Sequence, residues 1–316
     1  MLPIEVLQTE SELAEEFLTA FEKHYLPEKF FYWFPLSVKA WLELCQGARP
    51  YRNFSRSYEL VSKHAADMAG LVRAPAIEVV SLGAGQGDKD LLLLQALRTA
   101  GAEVRYRPVD SSLALLELAL MQAREASFPA AGIKADLADP KTAAALAASA
   151  DGPRLYAVLG NSLGVIHPLD FLASLRGLVG PQDRLLLDGE VFNSVDTMAG
   201  YDNPVNRRFA FAPLESVGLE EGRDGALVFA SDGDPRVEGL YRVTKHFRVE
   251  RRLQILLAGR QVELQADEKL AMNCSYKYAP GTFERLIRDA GGFEPLAEYQ
   301  SEDRRFTMLL AAPGSR

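Results

Sequence analysis

Three glycines and two carboxylates carry the chemistry that can be read from this chain of 316 residues. Gly83, Gly85 and Gly87 form a G-x-G-x-G run directly after the apolar, partly β-branched stretch 77–82, and the segment 88–100 that follows reads as a helix. A strand that runs into glycines and then a helix start brings bare backbone up to a ligand, because residues without Cβ accept unusual φ and close approach. Asp110 directly follows a second strand-like stretch, 103–109, and Asp136 follows a third, short one near Ile133. A carboxylate after the second strand offers two acceptors to the two hydroxyls of a ribose. One after the third strand can accept from an adenine amino group while the backbone near Leu137 reads the ring edge. Asp88 and Asp90 instead fall in the first turn of the expected helix, where the dipole favours a carboxylate.

These residues need a scaffold, and the pattern from 57 to 192 supplies one. Helices are expected at 57–71, 91–100, 113–124, 141–150 and 168–179, alternating with strands at 77–82, 103–109, near 133, 154–159 and 184–188. Short strands alternating with helices predict an α/β fold with a parallel, doubly wound sheet. The rhythm breaks at 193. Long β-like stretches at 240–257, 261–264 and 269–278, with hairpin-like turns at Ala258-Gly259 and Ala266-Asp267, predict an antiparallel insertion. A helix at 282–290 and strands at 293–299 and 305–311 then close the α/β part. The domain boundaries expected are 1–56 for an N-terminal lid, 57–192 for the core, 193–278 for the insertion and 279–316 for the end of the core. The lid and the insertion are expected to form a second, mixed substrate domain. Phe30, Phe31 and Phe34 read equally well as plain packing.

The length is ample for a buried core. A formal net charge of −8 disfavours nonspecific binding to nucleic acid or an anionic membrane. The pairs Arg207-Arg208 and Arg251-Arg252 read as solvated faces. Cys45 and Cys274 are the two cysteines; they lie far apart without metal-type spacing, and His24, His64, His167 and His246 are scattered, so no metal site is expected. No basic segment followed by an apolar run opens the chain and no window is long enough to span a bilayer, which predicts a cytoplasmic protein without membrane contact.

The glycine spacing is not the G-x-G-x-x-G of dinucleotide enzymes. With Asp110 and Asp136 it fits S-adenosylmethionine (SAM) better, a tight turn with no ligand being the bland alternative. At this point the chain resembles the histidine-specific type of SAM-dependent methyltransferases. LGAGQGDK at 82–89 is similar to the family loop LGSGTSxK; RPVDSS at 107–112 resembles Y-x-P-V-D-V-S; LGNSLG at 159–164 resembles F-L-G-S-S-I-G-N. AGYDN at 199–203, SYKY at 275–278 and LPEKFFY at 26–32 resemble A-Y-D-D, S-x-K-F and L-P-x-K-x-F-Y. The resemblance covers most of the chain. It implies a class I (Rossmann-like) methyltransferase core whose cofactor residues are Gly83, Ala84, Gly85, Lys89, Asp110, Ser111, Asp136, Leu137, Gly160 and Asn161, with Lys89 near the cofactor carboxylate. It implies Tyr32 as the catalytic group that relays an amine proton, and Tyr51, Asn161, Tyr201, Gly239, Asn273 and Ser275 around the acceptor.

The departures fall on the acceptor side. The family's Glu that reads an imidazole ring is Asn273 here, a Met lining the same place is Gly239, an Asn holding the amino-acid end is Val165, and an Asp after F-Y is Trp33. The expected reaction is N-methylation of a small amine, an amino acid or derivative that is not necessarily histidine. The competing readings are a nicotinamide-dependent oxidoreductase, a SAM-binding protein without catalysis, and a methyltransferase acting on protein or RNA, the last disfavoured by the acidic charge. The acceptor and the oligomeric state stay open.

Overall fold

The computed structural model describes residues 2–46, 52–257 and 259–314. The chain divides into two compact units, the first made of 1–7, 53–192 and 276–316, the second of 8–52 and 193–275.

The first unit holds an eight-stranded sheet. Numbering along the whole chain, its strands are β1 (Ile4–Val6), β3 (Ala76–Leu82), β4 (Glu103–Asp110), β5 (Gly132–Lys134), β6 (Arg154–Val158), β7 (Arg184–Glu190), β13 (Phe293–Gln300) and β14 (Phe306–Pro313). They lie in the order β1-β5-β4-β3-β6-β7-β14-β13. All neighbours from β1 to β7 pair in parallel, and β14 runs antiparallel to both β7 and β13. The helices are α3 (Asn53–Val72), α4 (Asp88–Thr99), α5 (Leu113–Glu125), α6 (Pro140–Ala148), α7 (Pro168–Leu178) and α10 (Thr282–Arg285), the last continued by a π turn over Leu286–Ala290. In β3 the residues from Ile77 to Leu82 are all buried, as a central parallel strand covered on both faces requires. Strand order reverses beside β3: β4 and β5 lie to one side, β6 and β7 to the other. In such sheets the crevice at the carboxyl ends of the strands on either side of the reversal receives ligands. This is the doubly wound core expected from the alternating pattern.

The second unit contains α1 (Glu10–Glu22), β2 (Tyr25–Leu26), α2 (Pro35–Gln46), α8 (Ser194–Tyr201), α9 (Pro204–Glu215), β8 (Gly225–Gly233), β9 (Leu240–Val249), β10 (Leu253–Leu257), β11 (Arg260–Leu264) and β12 (Lys269–Tyr278), β12 passing into the first unit at its end. A four-stranded sheet has the order β2-β12-β9-β8, and β10 and β11 form a separate antiparallel hairpin. The N-terminal segment and the insertion share one apolar core, in which Phe17, Phe21, Phe30 and Phe31 join Phe209, Phe211 and Phe247. Phe30 and Phe31 are packing residues with no exposed surface. No helix among the described residues is long and apolar enough to cross a membrane.

Three expectations need correction. The first residues do not belong with the N-terminal segment: β1 adds a parallel strand to the first sheet, with Glu5 opposite Ile133. The insertion is not purely β, because α8 and α9 precede its strands. The stretch 240–257 is two strands, broken between Val249 and Leu253, where Arg251 ion-pairs with the buried Asp224. Arg208, Arg251 and Arg252 are exposed, as expected of solvated faces, and the pairs carry ion-pair partners there: Arg252 meets Glu263, Arg207 meets Asp202 and Glu221, and Arg208 meets Glu43.

Candidate active site

The glycine turn follows β3 as the spacing requires. Gly83, Gly85 and Gly87 all take positive φ, of 77°, 57° and 87°, which residues bearing a Cβ rarely accept. The N–H groups of Gly83 and Ala84 donate to the Val109 carbonyl at 2.9 and 3.2 Å. Gly85 N–H donates to Asp110 Oδ2 at 2.8 Å, and Ser112 N–H donates to Asp110 Oδ1 at 2.9 Å. Asp110 thus clamps the turn to the end of β4. Burial pushes its carboxyl up, and the N–H groups of Ser112, Gly85 and Ser111 pull it back. A carboxylate has about four lone-pair sites, so the three N–H groups leave Asp110 about one acceptor for a ligand hydroxyl. A Cβ built on Gly85 would meet nothing within 4 Å, so the turn faces open space.

The other members gather around this turn. A Cβ on Gly83 would stand 3.0 Å from Ser162 Oγ and 3.7 Å from Leu137 Cδ1. The turn after β3, the residue after Asp136 and the loop after β6 therefore meet at one place. Lys89, in the first turn of α4, lies with its Nζ 3.2 Å from where a Cβ of Gly160 would be, and 4.5 Å from the Phe54 ring centroid. Asp136 is half-buried; its Oδ1 accepts from Ala138 N–H at 2.9 Å and its carbonyl accepts from Thr142 Oγ1 at 2.6 Å. Asn161 takes a left-handed φ of 65°, and its Oδ1 accepts from Glu190 N–H at 3.1 Å.

Residues without a role in the sequence reading hold this loop in place. Asp188, fully buried near the end of β7, accepts from Gly160 N–H at 2.9 Å, from Asn161 N–H at 2.7 Å and from the Ser57 hydroxyl. Burial pushes its carboxyl up; those bonds and the Lys89 charge pull it down. Glu190 pairs with the fully buried Lys277 at 3.1 Å and accepts from Asn53 Nδ2 at 2.7 Å. A signal existed for each, since charges inside apolar strands need partners: Asp188 and Glu190 end the run RLLLDGE, and Lys277 stands between two tyrosines. Asp90 is also more than a helix-start acid. It is buried, accepts from Tyr106 Oη at 2.5 Å, and is pushed up to about 6 by burial.

Of the residues expected around the acceptor, Asn161 lies in the first unit, and Tyr32, Tyr201, Gly239, Asn273 and Ser275 lie in the second or at its boundary. Tyr32 caps the short 3-10 turn Glu28–Phe31; its hydroxyl donates to Glu28 Oε1 at 3.0 Å, and its ring packs 5.2 Å from Trp41 and 5.5 Å from Phe209. Tyr201 ends α8 and donates to Ser275 Oγ at 3.0 Å, so these two are brought together. Gly239 takes a φ of 79° in the turn before β9. Asn273 lies in β12 at a φ of 31°, and its Oδ1 is buried with no hydrogen-bond partner. Tyr51 lies outside the described residues. No group of three or more potential metal ligands occurs among the described residues.

The residues present suit SAM: a glycine cradle open at Gly85, a clamped ribose-type acid at Asp110 and a cation at Lys89. The histidine N-alpha-methyltransferase of Mycobacterium tuberculosis is 26% identical over 274 residues, covering 80% of each chain. That of Mycolicibacterium smegmatis is 25% identical, covering 70% of this chain and 71% of its own. Among solved structures, a methyltransferase from Thermobifida fusca titled putative is 11% identical, covers 93% of this chain and 97% of its own, and superposes with a TM-score of 0.48. The family model described as "Histidine-specific methyltransferase, SAM-dependent" matches residues 11–313, and the chain belongs to that family.

Proposed function

We propose that this SAM-dependent methyltransferase methylates the amino nitrogen of a small amino acid or derivative, and that histidine is not its preferred acceptor. The observation that carries the cofactor half is the turn after β3, clamped by Asp110 and open at Gly85. The acceptor half rests on the family, whose two cited relatives are named for action on a histidine amino group.

Bound SAM supplies a methyl group on a sulfonium, open to in-line displacement by an amine. The protein's part is to position and to exclude water. Asp110 takes the ribose, Asp136 and Leu137 the adenine, and Lys89 with the loop at Gly160 the amino-acid end. The acceptor amine needs a free lone pair. An α-amino group with a pKa near about 8 is partly neutral at working pH, so no strong base is required. The Tyr32 hydroxyl donates to Glu28, and its oxygen is the group assigned to accept an N–H from the acceptor. The linked Tyr201 and Ser275 hydroxyls position the acceptor, together with Tyr51. Asn273 cannot give an imidazole the charge-assisted bond of a carboxylate, and Gly239 leaves volume where a Met side chain would stand.

The experiment is calorimetry with S-adenosylhomocysteine (SAH), followed by a panel of free amino acids and biogenic amines with SAM, read by mass gain. SAH should bind, and one amino compound should gain methyl mass faster than histidine. Absence of SAH binding at millimolar ligand, or of turnover across the panel, overturns the reading.

A further inference from the structure

Lys245 is a buried cation in the second unit, 9% exposed. It stands on the inward row of β9 between Val243 and Phe247, where the alternation of a half-buried strand calls for an apolar side chain. Its Nζ lies 3.8 Å from the centroid of Phe31 and 5.8 Å from that of Phe209. No hydrogen bond or ion pair joins it to any described residue. Other buried cations differ: Lys277 has Glu190, and Arg154 has Glu78. Glu28 is near enough to influence Lys245, but it forms no ion pair with it, and its Oε1 holds the Tyr32 hydroxyl.

Two links tie Lys245 to the proposed acceptor residues. Phe209, one of its ring partners, packs on Tyr32. β9, which carries Lys245, neighbours β12, which carries Asn273, whose own buried Oδ1 lacks a hydrogen-bond partner. An ammonium with three donors and no acceptor is costly in an apolar setting. Ring faces offset only part of that cost. A ligand carboxylate would complete it with charge-assisted hydrogen bonds.

We propose that Lys245 determines acceptor specificity by receiving a carboxylate on the acceptor's side chain, so that this enzyme methylates an acidic amino acid. The proposal rests on the reading of the chain as an amino-acid N-methyltransferase and adds the charge of the side chain. A site that reads a basic ring presents an acid to it; here that position is the neutral Asn273, with a cation on the neighbouring strand. Two ring faces are the neighbours of the ammonium, so a neutral amide in place of the carboxylate leaves the charge unmatched. Burial holds Lys245 down at about 8, and a bound carboxylate raises it again.

The test compares glutamate with glutamine and aspartate with asparagine, with histidine as reference, in the wild type, Lys245→Met and Lys245→Arg. In the wild type an acid should exceed its amide in kcat/KM by about 10- to 100-fold, the worth of a hydrogen bond to a charged group. Lys245→Met should lose that preference through KM, with SAH affinity and folding intact, and Lys245→Arg should keep part of it. Acid and amide used alike by the wild type, or an unchanged preference in folded Lys245→Met, overturns the proposal while leaving the function standing. Thermal melting decides the case independently of turnover. Millimolar glutamate should raise the melting temperature of the wild-type SAH complex and not that of Lys245→Met, and absence of a wild-type shift overturns the proposal. Failure of every amine in the wider panel would instead overturn the functional reading.

Discussion

Lys277 and Lys245 are both buried lysines on β-strands, one in each unit, and their surroundings differ. Lys277 meets Glu190, which is in turn bound by Asn53, and the Glu190 N–H is held by Asn161. Beside it, Asp188 takes two N–H groups of the same loop. Lys245 has two ring faces and no hydrogen bond among the described residues, and Asn273 Oδ1 has no partner either. The buried charges of the first unit named here thus carry their own partners, while Arg184 Nε and the Tyr278 hydroxyl are buried without one. In the second unit Lys245 and Asn273 Oδ1 are left without hydrogen bonds among the described residues, which costs stability and, on the proposal above, gives selectivity.

The contrast can be broken at several points. The largest effect is expected from Lys277→Met, which leaves Glu190 buried and uncompensated. Denaturant unfolding should show a loss of about 3–5 kcal/mol, and adding Glu190→Gln should recover part of it. An unchanged midpoint would mean that the pair is not closed in solution. Next, Asp110→Ala should weaken SAH binding by about 1–3 kcal/mol by calorimetry; unchanged affinity would move the ribose site elsewhere.

Lys245→Met should act in the opposite direction to Lys277→Met and stabilise the protein by about 1–2 kcal/mol at neutral pH. Burial depresses the Lys245 pKa from 10.5 to about 8. The folded state therefore bears the full cost of the charge below about 8 and is relieved as pH climbs from there towards 10.5. The variant's advantage should be constant below about 8 and shrink above it, as melting curves across pH will show. The smallest effect probes how complete the pairing in the first unit is. Asp90, raised from 3.8 to about 6, has the Tyr106 and Ser81 hydroxyls and no ion pair among the described residues. A raised carboxyl pKa means stability falls as pH rises from about 4 through 6. Asp90→Asn should gain about 1 kcal/mol at pH near 7 and nothing near 4. A gain that does not vary with pH would assign it to packing.

Much of the first unit was legible because its signals are local. The apolar run of β3, the glycines after it and the acid after β4 are each set by neighbours in sequence. The strand β1 was not legible: three residues, IEV, carry no periodicity, and they are fixed by pairing with β5 more than a hundred residues away. The helix α9 carried a start signal in Asn203-Pro204, whose Asn side chain accepts from the N–H groups of Val205 and Asn206. Pro213 within it argues against a helix, and the surrounding core of the second unit overrides that local objection. Asp188 and Glu190 were visible as charges but not as partners, since Ser57, Asn53 and Lys277 are remote in the chain.

The sequence by itself determined the cofactor chemistry: a glycine turn needs only its own φ values, and an acid after a strand needs only that strand. Tertiary structure alone decided which buried charges have partners. Pairing depends on distances of a few ångströms between segments far apart in the chain, and on burial that raises the energetic stake of each pair. The same residue type, lysine, has a carboxylate partner at 277 and two ring faces at 245, and both sets of neighbours come from segments remote in the chain.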